Sequence, residues 1–126
     1  MKSLNPKTIA PSKGPYVHGL LIDPGKTWLS ISGQVGIRPD GSYAAGLVEQ
    51  THVIWANLTA ILKEGGMEIG NIVKMNSYMT SPDYADDYRR MRFEFLGDHR
   101  PTSTALVVAA LASPQFVIEV DVLAAK

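Results

Sequence analysis

The stretch Arg100–Lys126, RPTSTALVVAALASPQFVIEVDVLAAK, decides the architecture of this chain. It contains two short strand-like runs, and the second carries acids where a strand buried on both faces has none. In Val117–Leu123 (VIEVDVL) side chains alternate between faces with period two. Glu119 and Asp121 therefore share a face with Val117 and Leu123, while Ile118, Val120 and Val122 line the other. A carboxylate beside apolar neighbours is costly unless something pairs with it or a cavity uses it. Glu119 is thus the first candidate for chemistry, the alternative being a solvated strand face.

Outward from this stretch, the chain reads as one α+β or open-sheet α/β domain spanning residues 1–126. A strand over Tyr16–Ile22, a turn at Asp23-Pro24-Gly25-Lys26 and a strand over Thr27–Val35 predict a hairpin. On the second strand Trp28, Ser30, Ser32 and Gln34 face away from Leu29 and Ile31. The spacing of Leu47, Ile54, Leu58 and Ile61, widened by Val48, Trp55 and Leu62, predicts a helix over Leu47–Glu64 that Gly65-Gly66 stops. A strand over Ile72–Met79 follows. Ser81-Pro82-Asp83 supplies an N-cap, a first-turn proline and a dipole-matched acid for a second helix, ended by Gly97. Tyr84, Tyr88, Met91 and Phe95 form its apolar face.

The order β-β-α-β-α-β-β, with right-handed crossovers, puts two helices on one face of a sheet. Trp28, Val73, Met75 and Val107 put apolar side chains on the other face as well. Copies of the same chain are the simplest cover for that face, so a homo-oligomer is expected.

Composition narrows the function. The 12 basic and 12 acidic residues cancel and form no basic block, which argues against nucleic acid or an anionic membrane as partner. No apolar run approaches the ~20 residues needed to span a bilayer, and the N-terminus lacks the apolar core of a secretory signal. Without cysteine there is no disulfide, thiolate metal site or cysteine nucleophile. A cytoplasmic protein is the expectation. His18, His52 and His99 lie on separate elements and make no metal signature. Met75, Met79 and Met91 read as core filler. Gly33 and Gly36 precede no helix at dinucleotide-loop spacing. Ser32 has no histidine placed to activate it.

Gly14-Pro15-Tyr16, Ser32-Gly33-Gln34, Gln50 and Asn57 in the first helix, and a late Pro-x-x-[ST] followed by Ile-Glu-x-[DE] together resemble the Rid family. This is the YjgF-like group of reactive-intermediate deaminases, also called the ribonuclease L-PSP group. The resemblance spans about Thr8 to Ala125. It implies a chorismate-mutase-like mixed sheet with two helices on one face, a homotrimer with clefts between subunits, and hydrolysis of enamines or imines such as 2-aminoacrylate without metal or organic cofactor. On this resemblance Glu119 is the acid that positions the attacking water, Tyr16 donates to substrate, and Ser32 and Gly33 line the cleft.

One departure matters. Deaminating relatives carry Pro-x-Arg-Ser, whose arginine pairs bidentately with the substrate carboxylate. Here Pro101-Thr102-Ser103-Thr104 places Ser103 at that position. Losing such a charge-assisted contact costs on the order of 1.5–3 kcal/mol. Tyr88 stands where relatives have an asparagine. Arg38 and Arg89 to Arg92 are read as solvated surface charges, the alternative being a carboxylate clamp relocated to one of them across a subunit boundary, and Arg100 as pointing away from Ser103. The expected function is therefore a deaminase-like hydrolase acting on a small enamine, imine or related carbonyl compound other than 2-aminoacrylate. Its cleft would contain Tyr16, Ser32, Gly33, Tyr88, Ser103, Thr104 and Glu119. The alternatives are a small-molecule-binding homotrimer without turnover and, least favoured by the neutral charge, a ribonuclease.

Overall fold

The structure, a computed structural model, describes residues 1–11 and 14–126. Along the chain come β1 (Lys2–Leu4), β2 (Gly19–Leu21), β3 (Trp28–Gln34), α1 (Gly46–Glu64), β4 (Ile72–Met79), α2 (Ala85–Leu96), β5 (Thr102–Val107) and β6 (Ile118–Ala125), with 3-10 turns at Ile69–Asn71 and Pro82–Tyr84. β3, β6, β4 and β5 lie side by side in that order. The β4–β5 pair is parallel and the others are antiparallel, giving a mixed sheet.

Both helices cover one side of this sheet. Ile54, Trp55, Leu58 and Leu62 of α1 and Tyr88 and Leu96 of α2 share a core with Ile31, Met75, Met79, Ile118, Val120 and Val122. Leu47, Ile54, Leu58 and Leu62 recur every three to four or seven residues, which is why this stretch of chain is helical and why one stripe of it is buried. Trp55 stacks on Phe95 at 4.4 Å between centroids and joins the helices. Ser81 caps as expected, its Oγ accepting from the Asp83 amide at 3.2 Å, and Pro82 opens the turn, but the element they start is the 3-10 turn Pro82–Tyr84; α2 follows at Ala85 with no side-chain cap of its own. The three methionines Met75, Met79 and Met91 are buried, as core filler should be.

Three expectations fail. The hairpin of Tyr16–Ile22 with Thr27–Val35 does not form. Only Gly19–Leu21 is strand, and it pairs with Lys2–Leu4. The backbone before it is used elsewhere: the Tyr16 amide turns back to the Gly14 carbonyl at 2.8 Å, and the Val17 amide donates to Pro101 O at 3.1 Å. β3 instead pairs with β6. Alternation along β3 also breaks, because a bulge between Ile31 and Gln34 puts one extra residue opposite β6. Gln34 therefore faces Val120 and leaves the row of Trp28 and Ser30. Met75, expected on the second face, belongs to the helix side and is fully buried. The second face carries Ser30, Leu123, Lys74, Asn76, Asp121, Tyr78 and Glu119 in register, with Trp28 and Leu106 50% and 48% exposed.

Candidate functional site

Glu119 lies on β6 directly opposite Tyr78 of β4, on the face away from the helices. The bulge in β3 brings Gly33 against it. A Cβ at Gly33 would collide with the Glu119 carboxylate, coming within 2.8 Å of its Cδ, so this approach needs glycine. Gly33, Tyr78, Glu119 and Asp121, with Val108, Ala110, Leu111 and Ala112, line an open cavity of about 410 Å³.

The two acids are treated differently. Asp121 accepts from Asn76 Nδ2 at 2.9 Å and from the Tyr78 hydroxyl at 3.0 Å, so both its oxygens are engaged. Glu119, half-buried, has no hydrogen-bonding or ionic side-chain partner among the described residues. The Tyr78 hydroxyl is held above its ordinary pKa, first by its bond to Asp121, then by burial and by the charges of Asp121 and Glu119. It remains a proton donor at neutral pH. Asp121 is thus tied into the sheet through both oxygens, whereas the Glu119 carboxylate is not tied by any side chain among the described residues.

Gln50 fixes where Glu119 sits. Its buried amide donates to Ala44 O at 3.1 Å and to Gln115 O at 2.7 Å, and its Oε1 accepts from the Val117 amide at 2.9 Å. Helix α1 thereby grips the chain two residues before Glu119. The backbone of Gly36 lies so close to Gln50 that a Cβ there would stand 2.9 Å from the Gln50 Cα.

The remaining expected residues form a second group. Ser103 on β5 is in parallel register with Met75 and so faces the helices, whereas Thr104 faces the open side, where Lys74 Nζ donates to it at 2.8 Å. Arg92 of α2 donates from Nη1 to Ser103 Oγ at 2.7 Å. Tyr88, 2% exposed, shares a short hydrogen bond between its hydroxyl and that of Ser77. The Arg92 guanidinium carbon lies 5.9 Å from the Tyr88 ring centroid. A Cβ on Gly14 would stand 3.4 Å from the Tyr16 ring and 3.9 Å from Arg92 Nη2, which brings the Gly14–Tyr16 segment to the same place. Ser32 is exposed next to Gly33.

Arg92 overturns its reading as a solvated charge. It is 5% exposed, because helical spacing puts it four residues after Tyr88 and four before Leu96, on the inner stripe. Arg89 and Arg90 are solvated as expected, in surface pairs with Asp86 and Asp87. Arg38 is tied to Glu49 at 3.0 Å, and Arg100 to the His99 carbonyl at 2.8 Å, away from Ser103. His18 and His99 bond the carbonyls of Ala10 and Ile72. Among the described residues no group of three His, Cys, Asp or Glu side chains could hold a metal ion, and no helix is long and apolar enough to cross a membrane.

The expected site residues therefore fall into two groups within one chain. Strand spacings put the Cα atoms of Glu119 and Ser103 roughly 14 Å apart, two strands across and three residues along, and they face opposite ways. A metabolite a few atoms long cannot touch both within a single protomer.

A β3-β6-β4-β5 mixed sheet backed by two helices, with a strand-borne acid seated on a glycine, defines a YjgF-like α+β protein. Solved structures agree. YyfB of the Rid protein family from Yersinia pestis superposes with a TM-score of 0.87 at 27% identity, over 99% of this chain and 98% of that one. Escherichia coli TdcF with bound serine does so at 0.74 and 25% identity, over 100% and 99%. The family described as Endoribonuclease L-PSP matches residues 7–126, and the chain belongs to it. By sequence it is 30% identical over 115 residues to a "RutC family protein" of Aquifex aeolicus, covering 90% of each. It is 29% identical over 118 residues to the "Putative reactive intermediate deaminase TdcF" of Escherichia coli strain K12, covering 90% of this chain and 88% of that one.

Proposed function

We propose that this protein hydrolyses a small enamine or imine to a carbonyl compound and ammonia, at a cleft formed between copies of the chain in a homotrimer. The observation that carries the reading is Glu119: a half-buried carboxylate with no side-chain partner among the described residues, opening on a cavity and placed by Gly33 and Gln50. The name of the deaminase relative points the same way.

The chemistry needs a water aimed at the C=N carbon and a proton shuttle. The imine nitrogen, or the enamine carbon, first takes a proton from solvent to give the iminium; Glu119 then takes a proton from the water as the water oxygen bonds to the iminium carbon, and passes that proton to nitrogen. The C–N bond breaks with its electron pair leaving on ammonia, and the hydroxyl proton goes to Glu119 and on to solvent. Each turnover consumes one water and releases one carbonyl compound and one ammonia.

The test is ammonia release from freshly generated imines. Glu119→Gln, which keeps the size but cannot accept the proton, is expected to lower turnover at least a hundredfold, in the range of general-base contributions of about 10²–10⁴. Full activity in this variant on a substrate the wild type turns over would sink the mechanism. A second reading, binding without turnover, is favoured by the absence of any cation among the described residues lining the cavity to polarise the C=N bond. Tight binding of a small carbonyl metabolite with no ammonia from any imine would decide for it.

A further inference from the structure

The guanidinium of Arg92 is the most anomalous charge in the fold. It is 5% exposed, and among the described residues no carboxylate lies within ion-pair distance of it. Its surroundings are two hydroxyl-bearing side chains, Ser103 and Tyr88, and the Gly14–Tyr16 segment. Ser103 engages Nη1 alone, and Nε is buried with no partner. The Nε–Nη2 edge is the side of a guanidinium that fits the two oxygens of a carboxylate. Arginine does not escape burial by losing its proton. Burial lowers its pKa from the ordinary arginine value, and the nearby Tyr88 and Tyr16 offset only part of that. A buried cation lacking its anion is costly to the fold, and a ligand carboxylate would relieve the cost.

We infer that Arg92 is a carboxylate-binding residue, delivering from helix α2 the cation that β5 lacks at Ser103, with the Ser103 hydroxyl steering the guanidinium. This rests on the hydrolase reading only for the name of the substrate class, 2-imino acids and their enamine tautomers. The binding itself needs no turnover. The cation reaches the sheet edge by a different route, so the serine in the strand does not signify a neutral substrate.

The probes are pyruvate, the 2-oxo acid such hydrolysis would release, and methyl pyruvate, which has the same carbon skeleton without the charge. Calorimetric titration of the wild type is expected to show pyruvate binding at least tenfold tighter than its ester. Arg92→Met should abolish that discrimination without lowering Tm, since a buried apolar isostere replaces an unpaired charge. Arg92→Lys should retain part of it, and Arg92→Met/Ser103→Arg should recover it. Ammonia release by Glu119→Gln tests the acid and the pyruvate-over-ester preference of Arg92→Met tests the anchor, so failure of the acid and failure of the anchor read out separately. The inference is overturned if the wild type binds neither probe or both equally, or if Arg92→Met keeps the preference. Should Arg92→Met not fold, Arg92→Lys decides, and an undiminished preference for pyruvate there overturns it.

Discussion

Gly33 and Glu119 are complementary in space: one has no side chain because the other's carboxylate occupies the volume. Gly33→Ala is therefore expected to push the acid aside with little cost to the fold, since the obstacle is the end of a flexible side chain. Turnover should fall at least tenfold while Tm shifts by only a few degrees, read by ammonia release and thermal melting. Tyr88 makes a different prediction. Its pKa is raised, chiefly by burial, so the unfolded chain releases this proton first. Its contribution to stability is present below about pH 10 and is lost as pH rises through the folded value. Tyr88→Phe should flatten the alkaline loss of stability. At neutral pH it should cost about 1–3 kcal/mol, because the buried Ser77 hydroxyl loses its partner. Denaturation at several pH values checks both. At this scale Glu119 was legible from strand alternation and Gly33 from resemblance. Arg92 was legible in principle, since Tyr88, Arg92 and Leu96 are four residues apart. Its place after Arg89 and Arg90 hid it among solvated charges.

The elements that could be read from the chain are those whose own residues settle their structure. β4 keeps its expected bounds and α1 gains one residue at its start. The cap at Ser81 marked the 3-10 turn that leads into α2 and not the first residue of α2 itself. What could not be read depended on distant backbone. Nothing in Tyr16–Ile22 announces that the Val17 amide is taken by Pro101, and a bulge is a misalignment with a partner strand, invisible in either strand alone. Gln50 shows how such long-range fixing works, since one amide ties α1 to the loop before it and to the approach to β6. Gln50→Leu removes three hydrogen bonds and strands the Val117 amide. A loss of about 2–4 kcal/mol by urea denaturation is expected, together with faster hydrogen exchange at Val117 and reduced turnover, because Glu119 is two residues further on.

At the scale of the molecule, the separation of the acid from the Arg92–Ser103 group across the sheet makes assembly part of the proposed site. Leu106 and Val107 of the edge strand β5 and Trp28 of β3 are about half exposed, and an edge of this kind seeks a partner. Leu106→Lys is expected to weaken self-association, as measured by light scattering, and to take activity with it. A sharper check mixes two inactive variants. If Glu119 of one copy works with Arg92 of the next, equal amounts of Glu119→Gln and Arg92→Met chains, unfolded and reassembled together, should recover about a quarter of wild-type activity, the fraction of clefts with both groups intact.

The thickness of the sheet then has a consequence for how the protein behaves in dilute solution. If Glu119 and Arg92 work together from opposite faces of the sheet, as proposed, an isolated chain can be fully folded and still inert. Specific activity would fall with dilution well before any spectroscopic sign of unfolding, and concentration itself would set how much enzyme a given number of chains amounts to.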